Sequence, residues 1–239
     1  FQPSMEEADA WNREMLAFCE TRINSDGFIE GIGNDWTFID WSEIDKTGAV
    51  CAEQMLLIAV YEALGKIATA LSLDAAVFSS KAENLKKQVN AFYWDQKQGA
   101  FIDSFSSGKN HVTRHANIFA VMYDIATEEQ KQSILTNVLN NDSITKITTP
   151  YFEGYELDVL AKMGEFSRIE DMLTSYWGGM LSLGATTIWE EFDPTKKGIE
   201  HYEMYGGKYE KSLCHAWGAS PIYLLGKMRY NNKNGHRAV

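Results

Sequence analysis

Cysteine is scarce in this chain, and positive charge falls short of negative. Only Cys19, Cys51 and Cys214 occur, an odd number without metal-ligand spacing, so all three are expected to be free, buried thiols. Lysine and arginine total 22 against 33 aspartates and glutamates, a formal net charge of −11, which argues against nucleic acid or an acidic membrane face as partner. No apolar run approaches ~20 residues, so no segment is expected to span a membrane. The chain opens on Phe1 without initiator methionine or signal peptide, which predicts a mature or excised piece whose compartment is not written in it. Other chemistries lack their parts. No serine or cysteine sits in a nucleophile-elbow pattern, and Gly31-Ile32-Gly33 and Tyr205-Gly206-Gly207 lack the strand–helix context of a phosphate loop. His111 and His115, one helical turn apart, lack a third ligand at zinc-site spacing. Neither metal nor cofactor is expected.

What is present is apolar and aromatic. At 239 residues, 45% hydrophobic and 13% aromatic, the chain can form one large core or two small ones. Seven tryptophans and eleven tyrosines suit stacking on sugar faces, and a neutral carbohydrate fits the charge balance. Periodicity predicts helices from Ser4 to about Arg22, Thr47 to Leu71, Ala75 to Tyr93, Val112 to Ile125, Glu128 to Leu139, Tyr151 to Met163, Ser167 to Trp177, and Lys211 to about Tyr230. In the first, Met5, Ala8, Trp11, Met15, Phe18 and Cys19 share one apolar face, with Ser4 as cap. Phe28 to Asp45 reads as a long ordered loop, and Asp95 to Gly108 as a short hairpin or extended loop. The polar stretch 231–239 reads as a tail, leaving 1–230 as one domain. Buried and exposed helices alternate, as a toroid of helical hairpins requires; an ordinary all-α bundle fits equally.

The chemistry concentrates in Leu183 to Pro194. Trp189, Glu190, Glu191, Phe192 and Asp193 set carboxylates beside an aromatic wall, and glycoside hydrolysis needs one protonated and one ionised carboxyl group. The competing reading makes Trp189 and Phe192 core residues and the carboxylates a wet loop.

Four stretches carry a resemblance. Gly184-Ala185-Thr186-Thr187-Ile188-Trp189-Glu190 and Ser212-Leu213-Cys214-His215-Ala216-Trp217-Gly218-Ala219-Ser220-Pro221 resemble the end of the catalytic domain of glycoside hydrolase family 78, the α-L-rhamnosidases. Asp35-Trp36-Thr37-Phe38-Ile39-Asp40-Trp41 is similar to that family's paired-tryptophan segment, and Thr149-Pro150-Tyr151-Phe152 to its proline-aromatic helix start. They occur in the family's order. The resemblance implies an (α/α)6 barrel of twelve helices, of which about eight are legible here, so the chain is expected to be the C-terminal two-thirds of a catalytic domain. It also implies a carbohydrate substrate containing rhamnose, a missing N-terminal part as partner, and a secreted or periplasmic bacterial protein.

In that family hydrolysis inverts the anomeric centre, with a glutamic acid as proton donor and a second glutamate activating water. The second position matches Glu190, with Glu191 as rival; the acid's motif has no match and is expected upstream. An inverting pair stands ~6.5–9.5 Å apart. Glu191 replaces an arginine frequent in the family, and its charge would act on its neighbour. Among sugar-contacting residues, the resemblance implies His215 by hydrogen bonding. Trp36 and Trp41 would stack on the sugar, Asp40 would accept from its hydroxyls, and Trp189 would exclude solvent. Tyr151, Phe152 and Trp217 are expected to pack in the core. Two alternatives stay open: a hydrolase or lyase on another sugar, in which Asp193 or Glu153 would matter more, and a non-catalytic carbohydrate-binding helical fragment.

Overall fold

The computed structural model describes residues 4–233, with side chains described through residue 227. The chain forms two compact units, one of Phe1–Ile39 and Glu43–Thr145, the other of Asp40–Ser42 and Lys146–Val239.

The first unit starts with α1 (Met5–Glu20), which opens on a capping box: Ser4 and Glu7 satisfy each other's backbone amides, removing two orphan donors from the helix end. Its apolar face is largely open. Met5, Trp11, Met15 and Phe18 are exposed, and the buried positions are Asp9 and Leu16. Periodicity marks which residues share a face, but whether that face is covered depends on neighbours. What anchors α1 is largely polar. Glu20 Oε1 accepts from the Tyr61 hydroxyl at 2.8 Å and from Lys81 Nζ at 2.6 Å, and the Arg13 guanidinium lies 4.7 Å from the Phe78 ring centre.

Residues 28–45 form no helix, as expected, and the first of them, Phe28, is wholly buried, edge-on to Tyr93 at 5.3 Å. Helix α2 (Cys51–Ala70) begins four residues later than periodicity suggested. Gly48 is the reason. Its φ of +65 is left-handed, and a Cβ there would stand 2.6 Å from Ser106 Oγ, so the chain turns before the helix can start.

The alternation of covered and half-covered helices is present. Ten of the twenty residues of α2 are buried, including Met55, Ile58, Tyr61 and Leu64, whereas α3 (Ala76–Tyr93) buries a single stripe of Phe78, Ala82, Leu85, Val89 and Tyr93. That three- and four-residue spacing marks an outer helix. Strands β1 (Trp94–Asp95) and β2 (Ala100–Phe101) then pair antiparallel, Trp94 opposite Phe101. Next, α4 (Arg114–Met122) is buried from Arg114 through Val121, and α5 (Glu128–Ile134), continued by a π turn over Leu135–Leu139, buries one edge.

In the second unit α6 (Pro150–Met163) is the buried partner, with Pro150 in its first turn and Gly164 closing it. Its outer companion runs through α7 (Phe166–Met172), a π turn (Leu173–Trp177) and α8 (Gly178–Ser182). A 3₁₀ turn (Gly198–Tyr202) leads to β3 (Glu203–Met204) and β4 (Gly207–Lys208), an antiparallel hairpin that the sequence reading did not contain. The last helix, α9, runs Ser220–Lys233, so the helix expected from Lys211 starts nine residues late, after extended chain and a 3₁₀ turn (Ala216–Gly218). It enters the stretch expected as a tail from 231; residues 234–239 lie outside the described residues. Counted as continuous helical segments, eight occur among the described residues.

The cysteines are free, but only Cys51 is buried; Cys19 is half-buried and Cys214 exposed. No helix among the described residues is long and apolar enough to cross a membrane.

Candidate functional site

The second unit brings its two motif stretches side by side. The Glu190 amide donates to Ser212 O at 2.8 Å and the His215 amide to Ile188 O at 2.7 Å, while the Thr187 hydroxyl donates to Leu213 O. Residues 187–190 and 212–215 therefore run as two short antiparallel segments although 22 positions separate Glu190 from Ser212. Side chains on such segments alternate in direction, which separates the two candidate glutamates.

Glu191 turns inward. It is 6% exposed, and its carboxylate meets Lys211 Nζ at 2.5 Å and Lys196 Nζ at 3.1 Å. The Lys211 side chain is fully buried and also donates to His201 O at 2.6 Å. Burial lowers the Lys211 ammonium below the usual lysine range, an effect that Glu191 partly offsets. Two cations neutralise Glu191, which limits its repulsion of Glu190.

Glu190 stays half-buried and is held by neutral donors. The Ser212 amide donates to its Oε2 at 3.0 Å, and the Tyr205 hydroxyl donates to its Oε1. Tyr205 in turn lies edge-on to Trp41, ring centres 5.1 Å apart. Partial burial, then the hydrogen bond and charge of Glu190, push the Tyr205 phenol up to about 12, so Tyr205 remains a donor at neutral pH.

The other expected contacts fall in different settings. Trp189 is 3% exposed, packed on Tyr202 and Phe192. Asp40 is buried, its two oxygens 2.8 and 2.9 Å from the Thr149 hydroxyl at the head of α6. His215 is half-buried, and precedes the 3₁₀ turn rather than lying on the last helix. Its ring is 5.6 Å from that of Trp217. Trp36 belongs to the first unit, 73% exposed, where it lines a cavity of about 330 Å³ with Glu30, Asp35, Thr37 and Lys46.

Three packing expectations divide. Phe152 is buried as expected, but Trp217 is 65% exposed. Tyr151 is half-buried and stands between them, 5.3 Å from the Trp217 ring and 6.0 Å from that of Phe152. Asp193 binds the amide and hydroxyl of Thr195; burial raises its carboxyl, but these bonds and the nearby Lys196 and His201 outweigh it and hold it low. Glu153 is buried in α6. Burial, then the charges of Glu153, Glu191 and Asp40, push the Tyr176 phenol up.

His111 is not on a helix with His115. It lies in the chain before α4, with Nδ1 2.7 Å from Asp103 Oδ2. Among the described residues no three histidines, cysteines, aspartates or glutamates cluster as metal ligands.

Sequence reasoning passed over Tyr205. The signal available was its place before Gly206-Gly207: Tyr205 and Gly206 have φ of +56 and +92 and form the two-residue tip of the β3–β4 hairpin, the geometry of a type I′ turn.

The model of the bacterial alpha-L-rhamnosidase 6 hairpin glycosidase domain matches residues 9–228. No curated protein matches significantly. A family 78 rhamnosidase of Bacillus sp. GL1 superposes with a TM-score of 0.79 at 23% identity, covering 94% of this chain and 24% of its own. A rhamnosidase from Klebsiella oxytoca, solved with rhamnose bound, superposes with a TM-score of 0.77 at 25% identity, covering 97% and 43%. The chain thus spans less than half of either protein. Both neighbours agree with the helical-hairpin fold class of the (α/α)6 type, and the chain belongs to the bacterial alpha-L-rhamnosidase six-hairpin glycosidase domain family.

Proposed function

We propose that this chain is the base-bearing part of a glycoside hydrolase that inverts terminal α-L-rhamnosyl linkages, with Glu190 as general base. The observation that carries the reading is the contrast between adjacent carboxylates. Glu191 is buried between Lys196 and Lys211, whose ammoniums occupy both of its oxygens. Glu190 is half-open and held only by an amide and a hydroxyl, which leaves lone pairs for a water. The family match and the rhamnose bound to the Klebsiella oxytoca neighbour support the sugar.

Trp41, 41% exposed, would offer an apolar face to the deoxy sugar, and His215 a ring nitrogen to one of its hydroxyls. Glu190 would take a proton from water as the oxygen attacks the anomeric carbon from the face opposite the leaving group. The general acid is assigned to a segment outside these 239 residues, because the chain has no match to the family's acid motif. Proton NMR of the first product from an aryl α-L-rhamnoside tests this reading. β-L-rhamnose appearing before mutarotation supports inversion; the α-anomer, or hydrolysis of other aryl glycosides in preference, would refute it.

A further inference from the structure

We propose that Tyr205, at the tip of the β3–β4 hairpin, is the positioning residue for Glu190: it fixes the carboxylate plane and does not itself exchange a proton. This rests on the reading of Glu190 as general base. Three independent features converge on it. The first is bonding. A half-exposed glutamate can rotate its carboxylate, but Glu190 is gripped from two sides, by the Ser212 amide on Oε2 and the Tyr205 hydroxyl on Oε1. The amide belongs to the paired backbone segments, so Tyr205 supplies the side-chain half of the grip.

The second feature is backbone geometry. Tyr205 holds a φ of +56, a region that favours glycine and that a bulky residue occupies at a cost. Such outliers gather at working sites. Since Gly206 follows it, a glycine or asparagine at 205 would make the easier turn, yet the position carries the phenol that reaches Glu190.

The third is bracing. Tyr205 is 53% exposed, and Trp41 braces its ring, the indole meeting it edge-on at 5.1 Å. Trp41, Tyr205 and Glu190 thus form a line from apolar wall to carboxylate. Of the charged groups nearby, Lys211 is held on Glu191, burial lowering its ammonium against the opposing charges of Glu191 and Glu190, and the Glu210 carboxyl lies against Gly207 of the same hairpin. With the donor in place the carboxylate presents one orientation to water, and preorganisation of this kind acts on turnover more than on binding.

The test uses glutamate labelled with ¹³C at the carboxyl carbon, the Glu190 resonance being identified by its absence from Glu190→Gln. At neutral pH that resonance is expected to move in Tyr205→Phe and in Tyr205→Gly, the latter keeping the left-handed turn while deleting the phenol. It is expected to stay in Tyr209→Phe. A resonance unmoved in both Tyr205 variants would overturn the proposal. In turnover of an aryl α-L-rhamnoside, Tyr205→Phe should lower kcat roughly tenfold or more with KM little changed. If Glu190→Gln abolishes turnover and both Tyr205 variants keep full kcat, the positioning proposal alone fails. If Glu190→Gln turns over normally, the base reading fails and the proposal with it.

Discussion

Glu191 Oε2 and Lys211 Nζ stand 2.5 Å apart, and the lysine side chain is fully buried. Removing one partner from such a pair leaves a desolvated charge, which costs about 3–5 kcal/mol. Glu191→Gln is therefore expected to lower the urea midpoint strongly, although Lys196 loses little by it because it is partly solvated. Replacing both, as Glu191→Gln with Lys211→Met, should recover part of the loss. A single variant within about 0.5 kcal/mol of the parent, the range of ordinary surface substitutions, would show the pair to be incidental.

Acid should loosen the first helix. Burial raises the Glu20 carboxyl, but the bonds from Lys81 and Tyr61 outweigh it and hold the group below its usual range. A depressed carboxylate stabilises the fold above its unfolded value of about 4.3, and that stabilisation is lost as pH falls through the lower folded value. Amide exchange along α1 should accelerate as pH falls below about 4, beyond the intrinsic trend. Glu20→Gln should already exchange fast at neutral pH and add no such acid step. An α1 equally protected in both proteins would contradict the anchor.

The exposed face of α1 predicts association. Trp11 is 48%, Met15 60% and Phe18 62% exposed, and contiguous apolar surface of this kind drives self-association. Sedimentation velocity of the chain should show oligomers that grow with concentration, and Trp11→Gln with Phe18→Gln should reduce them. A strictly monomeric parent at high concentration would refute this.

The helices were legible because burial writes itself as period. Helix α3 ended at Tyr93 as read, and Ser4 capped α1 as expected. Errors arose where distant chain decides. Gly48 turns the chain with its left-handed φ, Ser106 filling the space a Cβ would take so that only glycine fits, and no local window contains Ser106. Trp217 and Trp189 look alike in sequence, yet one is 65% and the other 3% exposed: Trp189 lies in the segment paired with 212–215, whereas Trp217 lies in the 3₁₀ turn that follows that pairing. The carboxylate pair was visible as Glu190-Glu191, but the lysine that distinguishes its members lies 20 positions after Glu191. Tyr205 was hidden for the same reason. Its glycines signalled a turn, and only the hairpin carries the phenol to Glu190.

The role of Glu190 is tested by hydrolysis of 4-nitrophenyl α-L-rhamnoside, whose leaving group departs without a proton and so makes little demand on a general acid. The chain is compared with Glu190→Gln, an almost isosteric change. The parent is expected to release nitrophenolate measurably and the variant ~10²–10⁴-fold less, the usual range for a missing general base. Equal release by the two proteins, in a variant that melts as the parent does, would contradict it.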